Sequence, residues 1–172
     1  LYAMADTGMG AAVFPTLALA SLFLVLIVTV VVRIFLRVLA VIHALAFASA
    51  WVQLPGLIGP SGLLPAQPFF DAVLRQLGPP EARDQLPSLC WLIGAGPTAL
   101  NALCAAGLAL SALLFAGIAP ALALLGLWAC YLSLCSAGQV FFNFQWDALL
   151  LETTLLAVFI EIGRASCRER VS

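Results

Sequence analysis

The sequence predicts an all-α protein, a fragment of a polytopic transmembrane helical bundle with three to four spans. Its 172 residues are 64% hydrophobic and only 9% charged, whereas soluble domains are about 45–50% apolar and about 25% charged. A soluble domain needs a charged shell, which so few charged side chains cannot form, and disordered chains are polar and charged. Apolar runs of about 20 residues then favour helices that cross a membrane.

The charge and the cysteines exclude other classes of protein. The net charge is -1 and all seven basic side chains are arginines, so the chain has no basic face for a nucleic acid. Its five cysteines are too few for a disulfide scaffold and have no C-x-x-C spacing. His43 is the only histidine, and one imidazole cannot form a zinc site. We therefore predict the lipid bilayer as a partner, with no cofactor, no metal and no nucleic acid.

Arg33 and Arg37 interrupt the first long apolar stretch. We predict that they divide it into two spans, about 12–32 and 36–54. The alternative is one long, tilted helix, because no Gly, Pro, Asn or Asp residue in 16–54 marks a turn.

The connection that follows, residues 55–96, is rich in proline and glycine and is predicted to be a loop outside the membrane. Within it, residues 69–77 form a short amphipathic helix in this interpretation. Its apolar face carries Phe70, Val73, Leu74 and Leu77. The charged residues that follow are expected in solvent, and they are Glu81, Arg83 and Asp84.

The second half of the chain is predicted to hold two complete spans, about 97–116 and 120–137, joined by a tight hairpin at 117–119. A last span, about 147–160, is predicted to be cut short where the natural sequence stops. Gly107 is one of several small residues spaced for close packing between helices.

The positions of the arginines predict the orientation, because positively charged loops stay in the cytoplasm. Arg33 and Arg37 mark the inner side. The connection 55–96 is then outside, the hairpin 117–119 inside, and the segment 138–147 outside.

The sequence ends on a segment that resembles a translated sequencing adapter. Apolar sequence gives way to Glu-Ile-Gly-Arg-Ala-Ser-Cys-Arg-Glu-Arg-Val, which matches that adapter in one frame, although the final serine does not. We therefore divide the chain into an N-terminal segment 1–32 with the extra span, a membrane region 33–160 and an adapter-derived tail 161–172. The alternative is a natural basic tail on a helix end.

Polar and aromatic side chains alternate at the mouth of the last predicted span. The candidate site residues there are Gln139, Asn143, Gln145, Trp146, Asp147 and Glu152. We predict that Asp147 caps the last helix. Glu152 lies deeper and should face other helices, because a charge near the bilayer centre costs about 2.5–3.5 kcal/mol. Two interpretations stay open, a polar cluster that docks another chain or a substrate, and a helix cap with one polar contact between helices.

A second group of residues, on the first apolar stretch, is expected to set topology and contact the membrane interface. Its members are Arg33, Arg37, Trp51 and Gln53. Gln53 is predicted to contact the outer end of the polar cluster. His43 is expected to be a packed residue or to form a hydrogen bond between helices.

Three stretches of sequence carry a resemblance to a known family. They are Arg33-Ile-Phe-Leu-Arg37 with Ala46-Phe-Ala-Ser-Ala-Trp51-Val-Gln53, Gly56-Leu-Ile-Gly59-Pro-Ser-Gly62-Leu-Leu-Pro65, and Tyr131-Leu-Ser-Leu-Cys-Ser-Ala-Gly-Gln139 through Phe144-Gln-Trp-Asp-Ala-Leu-Leu-Leu-Glu-Thr153. In this order they resemble the lipase maturation factor family. Its members are polytopic proteins of the endoplasmic reticulum membrane in animals, with relatives in bacteria.

The resemblance implies a non-catalytic assembly factor that helps secreted lipases reach their folded, active form. The lipase client is implied to bind through a C-terminal region that is absent here. The location implied is the endoplasmic reticulum membrane, or the inner membrane if the source is bacterial. We therefore predict the membrane portion of such a factor, and no enzyme. The alternative is an intramembrane enzyme that acts on a lipid through Glu152, Asp147 and His43.

Overall fold

A computed structural model describes residues 9–169, with the side chains of 16–166. Residues 1–8 and 170–172, which include the end of the predicted adapter-derived tail, lie outside the described residues. Within that range the chain is all-α, as predicted, with seven helices and one short 3₁₀ helix. The helices are α1 (Met9–Leu57), α2 (Ala66–Leu77), α3 (Pro79–Gln85), α4 (Cys90–Ile93), α5 (Pro97–Ala116), α6 (Pro120–Gly138) and α7 (Gln145–Glu169), with the 3₁₀ helix at Gln139–Phe142.

Helix α1 runs without a break from Met9 to Leu57. The predicted division into spans 12–32 and 36–54 is therefore wrong, and the alternative of one long helix is what the structure has. Arginine is a good helix former, and a charged pair does not end a helix that has no glycine or proline beside it. At 1.5 Å per residue, 49 residues measure roughly 70 Å, more than twice the thickness of the hydrocarbon core.

The chain divides into two compact units, one ending at Leu36 and the other beginning at Arg37. In the first unit, the described part of α1 exposes nearly every apolar side chain. The second unit contains the rest of α1 and all the other helices, and its core holds Phe47, Leu124 and Leu134, each with no exposed area.

Among the described residues, three helical stretches are long and apolar enough to cross a membrane, judged by length and composition. They are Thr16–Leu57, Pro97–Ala116 and Pro120–Phe142. Helix α7 is not among these stretches, because the charged side chains of Asp147, Glu152, Glu161 and Arg164 are spread along it. The predicted span 147–160 is helical, and its crossing of the membrane stays a prediction.

Helices α5 and α6 form an antiparallel hairpin whose ends follow from local sequence. Each begins with a proline in its first turn, where the missing N–H has no partner to lose. Helix α5 ends at Gly117, whose φ of 76° is a left-handed conformation that glycine adopts without strain. The predicted span 97–116 therefore agrees with α5, and α6 ends one residue beyond the predicted 137.

The connection that is predicted to lie outside the membrane, which we call the outer connection, comprises residues 58–96 and contains more structure than the sequence indicated. Helix α2 confirms the amphipathic helix predicted at 69–77 and begins three residues earlier. Helices α3 and α4 were not predicted. The two prolines at the start of α3 occupy its first turn, which tolerates proline.

Close packing at Gly107 is as predicted. The ring of Phe47 on α1 lies directly against Gly107 on α5, and a Cβ atom at that position would overlap the ring. Ser111, one turn further along α5, is also buried and donates a hydrogen bond to the Gly107 carbonyl at 2.8 Å. Small residues on α5 thus allow α1 to come close, which is the usual role of such residues between membrane helices.

Candidate functional site

Two polar side chains of α7 point toward the rest of the bundle. Asp147 and Thr154 are seven residues apart, which places them on one face of a helix about two turns apart. Asp147 is half-buried, and its Oδ1 accepts a hydrogen bond of 2.5 Å from the Tyr131 hydroxyl of α6. Thr154 is fully buried. Helix α7 is therefore joined to α6 through a tyrosine–aspartate pair near its first turn.

Thr154 also joins α7 to α1 through His43, which is buried. The His43 Nε2 lies 3.1 Å from the Thr154 Oγ1, and Nδ1 lies 3.0 Å from the Leu39 carbonyl. A carbonyl only accepts, so in the neutral imidazole Nδ1 carries the hydrogen and Nε2 is an acceptor. The Thr154 hydroxyl is also 2.6 Å from the Leu150 carbonyl. It has one hydrogen for two acceptors, the His43 Nε2 and this carbonyl.

Aromatic rings enclose these polar groups. The rings of His43 and Phe47 are 6.4 Å apart, and the Tyr131 ring meets them edge-on at 6.2 Å and 5.6 Å. Such edge-on pairs add to the stabilisation that comes from buried area. We call His43, Phe47, Tyr131, Asp147 and Thr154 the histidine–tyrosine cluster; it connects α1, α6 and α7. His43 is thus bonded between helices, as predicted.

Asp147 does not act as the predicted helix cap. It is the third residue of α7, so it lies inside the first turn rather than before it, and its carboxylate bonds to Tyr131. An acid in the first turn still interacts favourably with the helix dipole. Its main structural partner, however, is a neighbouring helix.

The prediction that Glu152 faces other helices is wrong. Glu152 is exposed, as is Gln145, which lies seven residues before it on the same helix face. Glu152 is five residues from Asp147, or about 140° around the helix, so the two acids cannot share a face. Asn143 is exposed and Trp146 is 79% exposed. Within residues 16–166, no hydrogen bond involves the side chains of Asn143, Gln145, Trp146 and Glu152.

Gln139 and Gln53 have partners outside the predicted polar cluster, and for Gln53 this differs from the prediction. Gln139 ends α6 with a φ of 51°, and its Nε2 donates to the Leu64 carbonyl of the outer connection at 3.4 Å. Gln53 bonds to Ser49 of its own helix at 2.8 Å, so it does not contact the polar cluster. Trp51 is partly exposed on α1.

Arg37 lies level with the α5–α6 hairpin. Its guanidinium carbon is 5.9 Å from the centre of the Phe115 ring, which is next to the last residue of α5. The section of α1 from Arg37 to Leu57 therefore has about the same length as α5. Arg33 is exposed in the first unit.

The outer connection is fastened to the last two turns of α6. The Leu89 amide donates to the Ser133 Oγ at 2.8 Å. The Ser136 hydroxyl has one hydrogen and lies 3.0 Å from the Pro87 carbonyl and 2.9 Å from the Leu132 carbonyl of its own helix. Two side chains of α6 and Gln139 of the 3₁₀ helix thus hold this connection at one end of the bundle.

A small apolar cavity of about 240 Å³ lies between the start of α2 and the start of α5. Its polar lining is the Gln67 side chain, whose Oε1 accepts a 3.3 Å hydrogen bond from the Ala95 amide. Ligand sites are usually about 300–1,000 Å³ with several convergent polar groups, so this cavity is modest for a ligand.

Of the three residues of the predicted enzyme alternative, His43 and Asp147 lie in the histidine–tyrosine cluster but have different hydrogen-bond partners, and Glu152 lies outside the cluster. His43 bonds to Thr154, Asp147 bonds to Tyr131, and Glu152 is exposed. No group of three or more metal-binding side chains occurs in the part of the chain that the structure describes.

Sequence reasoning missed Tyr131 and Thr154. The spacing of seven between Asp147 and Thr154 is a signal that could have identified the second. Tyr131 is one of two tyrosines, and it stands out as a phenol within an otherwise apolar span.

Comparisons with known proteins agree with this architecture. Residues 30–170 match the family model described as the lipase maturation factor transmembrane domain. Human lipase maturation factor 2 is 42% identical over 136 residues, which are 74% of this chain and 19% of that protein. The Xenopus laevis factor 2 is 42% identical over 137 residues, 73% of this chain and 18% of that protein. Bovine lipase maturation factor 1 is 35% identical over 133 residues, which are 74% of this chain and 24% of that protein.

No solved structure matches the chain. The chain spans about a fifth of the length of the curated relatives it matches. The match covers α5, α6, the part of α1 from residue 30 onward and every residue of the histidine–tyrosine cluster. The chain is therefore an integral membrane protein, and it belongs to the lipase maturation factor family.

Proposed function

We propose that this chain is the membrane portion of a factor that assists the folding and assembly of secreted lipases, without catalysing a reaction itself. In this proposal the helices support the outer connection and the segment 138–147 on one side of the membrane. A client-binding region of the complete protein then rests on that support. The names of the relatives support a role in lipase maturation.

The observation that carries the proposal is the attachment of the outer connection to α6. The Ser133 Oγ accepts a hydrogen bond from the Leu89 amide, and Ser136 and Gln139 donate to the carbonyls of Pro87 and Leu64. Backbone contacts of this kind fix the path of a connection whatever its side chains are. A connection fixed in this way gives a defined surface at one end of the bundle, which suits a protein that positions another protein.

The positions of the candidate acid and base disfavour the enzyme alternative. An acid and a base that act together must reach a common substrate atom, within about 2.6–3.2 Å of each group. Here the candidate base His43 is enclosed by aromatic rings, and Glu152 lies on the exposed face of α7. The proposed location is the endoplasmic reticulum membrane, or the inner membrane in a bacterial source.

A chimera tests the proposal. The membrane region of human lipase maturation factor 2 is replaced by residues 30–170 of this chain, and the chimera is expressed in cells that lack the factor. The activity per unit mass of a secreted lipase that depends on the factor is then measured. We expect the chimera to restore most of this specific activity, with the intact human factor and an empty vector as references.

A chimera that reaches normal abundance in the membrane yet leaves the lipase inactive would contradict the proposal. Turnover of a lipid by the purified chain, lost on Glu152→Gln, would favour the enzyme alternative instead.

A further inference from the structure

The segment from Leu86 to Gly96, which contains α4, descends beside α6 rather than passing over its end. Ser133, which accepts the Leu89 amide, lies five residues before the end of α6 at Gly138. Five residues of helix are about 7–8 Å along the axis. Helix α5 begins at Pro97, at the same end of the hairpin as Gly138. The chain therefore descends to the level of Ser133 and returns before it enters α5.

Several polar groups of this segment have hydrogen-bond partners within the protein. The Trp91 indole N–H donates to the Leu86 carbonyl at 2.8 Å, and the Cys90 amide to the Ser88 Oγ at 3.2 Å. The Gly94 amide donates to the Cys90 carbonyl at 2.9 Å. No charged residue occurs anywhere from 85 to 146. A segment that enters the hydrocarbon region without crossing it needs hydrogen-bond partners for its polar groups within the protein, and it carries no charge.

The side chains that the segment presents outward are apolar. Leu92 is 78% exposed and Ile93 is 51% exposed, while Cys90 is buried. The Trp91 ring packs edge-on against Phe70 of α2, with centroids 4.8 Å apart. The polar side chains of α2, by contrast, are exposed to solvent; they are Asp71, Arg75 and Gln76. Helix α2 thus covers one side of the segment with a polar outer face.

We infer that residues 86–96 are immersed in the bilayer, at the boundary between headgroups and acyl chains on the side of the outer connection. Leu92 and Ile93 contact lipid there. The occupant is the bilayer because this apolar surface continues the ends of spans that the bilayer already covers, including the exposed side chain of Val140 at the end of α6. Exposed aromatic residues such as Trp146 at the same end are typical of the headgroup level.

Fluorescence quenching in reconstituted vesicles tests this placement. The full chain, with its native cysteines replaced by serine, carries one cysteine labelled with an environment-sensitive fluorophore and is placed in phosphatidylcholine vesicles. Leu92→Cys is compared with Ala106→Cys, an exposed position midway along α5, and with Gln76→Cys on the polar face of α2. Phospholipids that carry a nitroxide near the headgroup or deep in the acyl chain serve as quenchers.

We expect the label at residue 92 to lose more emission with the shallow quencher than with the deep one. The label at 106 should show the reverse, and the label at 76 should be quenched by neither. Equal emission at 92 and 76, unaffected by both quenchers, would overturn the inference. Emission of the label at 92 that changed with protein concentration, but not with the lipid quenchers, would indicate contact with a second copy or another protein. That result would also overturn the inference.

A measurement on the unaltered chain covers the case in which the cysteine-free background does not fold. Vesicles contain a phospholipid with a photoactivatable diazirine at a shallow acyl position, and adducts are mapped by mass spectrometry. Adducts at Leu92 or Ile93 are expected. Adducts confined to α1, α5 and α6 would overturn the inference.

Discussion

Thr154 is the residue through which α7 reaches the buried histidine of α1. Its hydroxyl lies within hydrogen-bond distance of both His43 and the Leu150 carbonyl. We expect Thr154→Val, which keeps the shape and removes the hydroxyl, to lower the free energy of unfolding by about 0.6 kcal/mol and at most about 1.7 kcal/mol, the range for such bonds in membranes. Unfolding of the purified chain in detergent micelles measures this change.

The neighbouring Thr153 provides the matched control. It is half-buried and no hydrogen bond from its side chain is present among the described residues, so Thr153→Val should leave the stability unchanged. Equal effects of the two substitutions would show that the contact with His43 does not stabilise the bundle.

The two acids of α7 should behave differently on substitution. Asp147 accepts a hydrogen bond from Tyr131, so Asp147→Leu leaves the phenol of a buried tyrosine without its partner, at a cost of about 1–3 kcal/mol. Glu152 is exposed, so Glu152→Leu should leave the unfolding temperature nearly unchanged. Thermal unfolding followed by circular dichroism compares the two. A larger loss with Glu152→Leu than with Asp147→Leu would contradict the positions described for both acids.

At the scale of elements, the approach of α1 to α5 depends on the absence of a side chain at residue 107. Gly107→Ala places a Cβ atom within the Phe47 ring, so we expect a loss of about 1–3 kcal/mol from overpacking. Gly126→Ala is the control, because its Cβ would meet only the flexible end of Leu110. Chemical unfolding of both variants in micelles gives the comparison.

A second substitution at the same contact makes the test specific. Adding Phe47→Leu to Gly107→Ala should make the effect of the alanine smaller than it is with the phenylalanine in place. If the two substitutions simply add, the loss arises elsewhere than at this contact.

Sequence patterns predicted the helices whose ends carry a local signal. Helix α5 lies between Pro97 and Gly117, and both act as boundaries through their own backbone chemistry. The division of α1 was wrong because Arg33 and Arg37 were treated as a boundary, although charge alone does not end a helix. Helix α4 could not be predicted, because a helix of four residues depends on its contacts with α6 rather than on its own sequence.

Within the candidate site, the sequence predicted only the position of Asp147, which depends on its own helix. Asp147 follows a run of aromatic residues at the start of a helix, and it does lie at the junction of α6 and α7. Its partner Tyr131 depends on how two helices pack against each other, which one sequence does not contain. Glu152 was misplaced because an acid in an apolar helix was assumed to face inward, whereas its angle from Asp147 places it on the exposed face.

At the scale of the whole molecule, the predicted orientation can be tested at both ends of the bundle. The outer connection and the α5–α6 hairpin should lie on opposite sides of the membrane, with Arg37 beside the hairpin on the cytoplasmic side. Single cysteines at Gln76 and Ile118, both exposed, are treated with a membrane-impermeant thiol reagent in intact cells or sealed vesicles. We expect labelling at 76 and none at 118 until the membrane is opened. Equal labelling of both positions would contradict the orientation.

The central claim is that the outer connection, held in place by α6, supports lipase maturation. It is tested most directly by Ser133→Ala combined with Ser136→Ala in the chimera that carries residues 30–170, because these substitutions remove the bonds to the outer connection. Ser111→Ala is the control, since that hydroxyl bonds only within its own helix. The account predicts a clear loss of secreted lipase specific activity for the double variant, at unchanged chimera abundance, and none for Ser111→Ala. Full lipase activity with the double variant, when quenching or crosslinking shows that the connection has come away from α6, would contradict it.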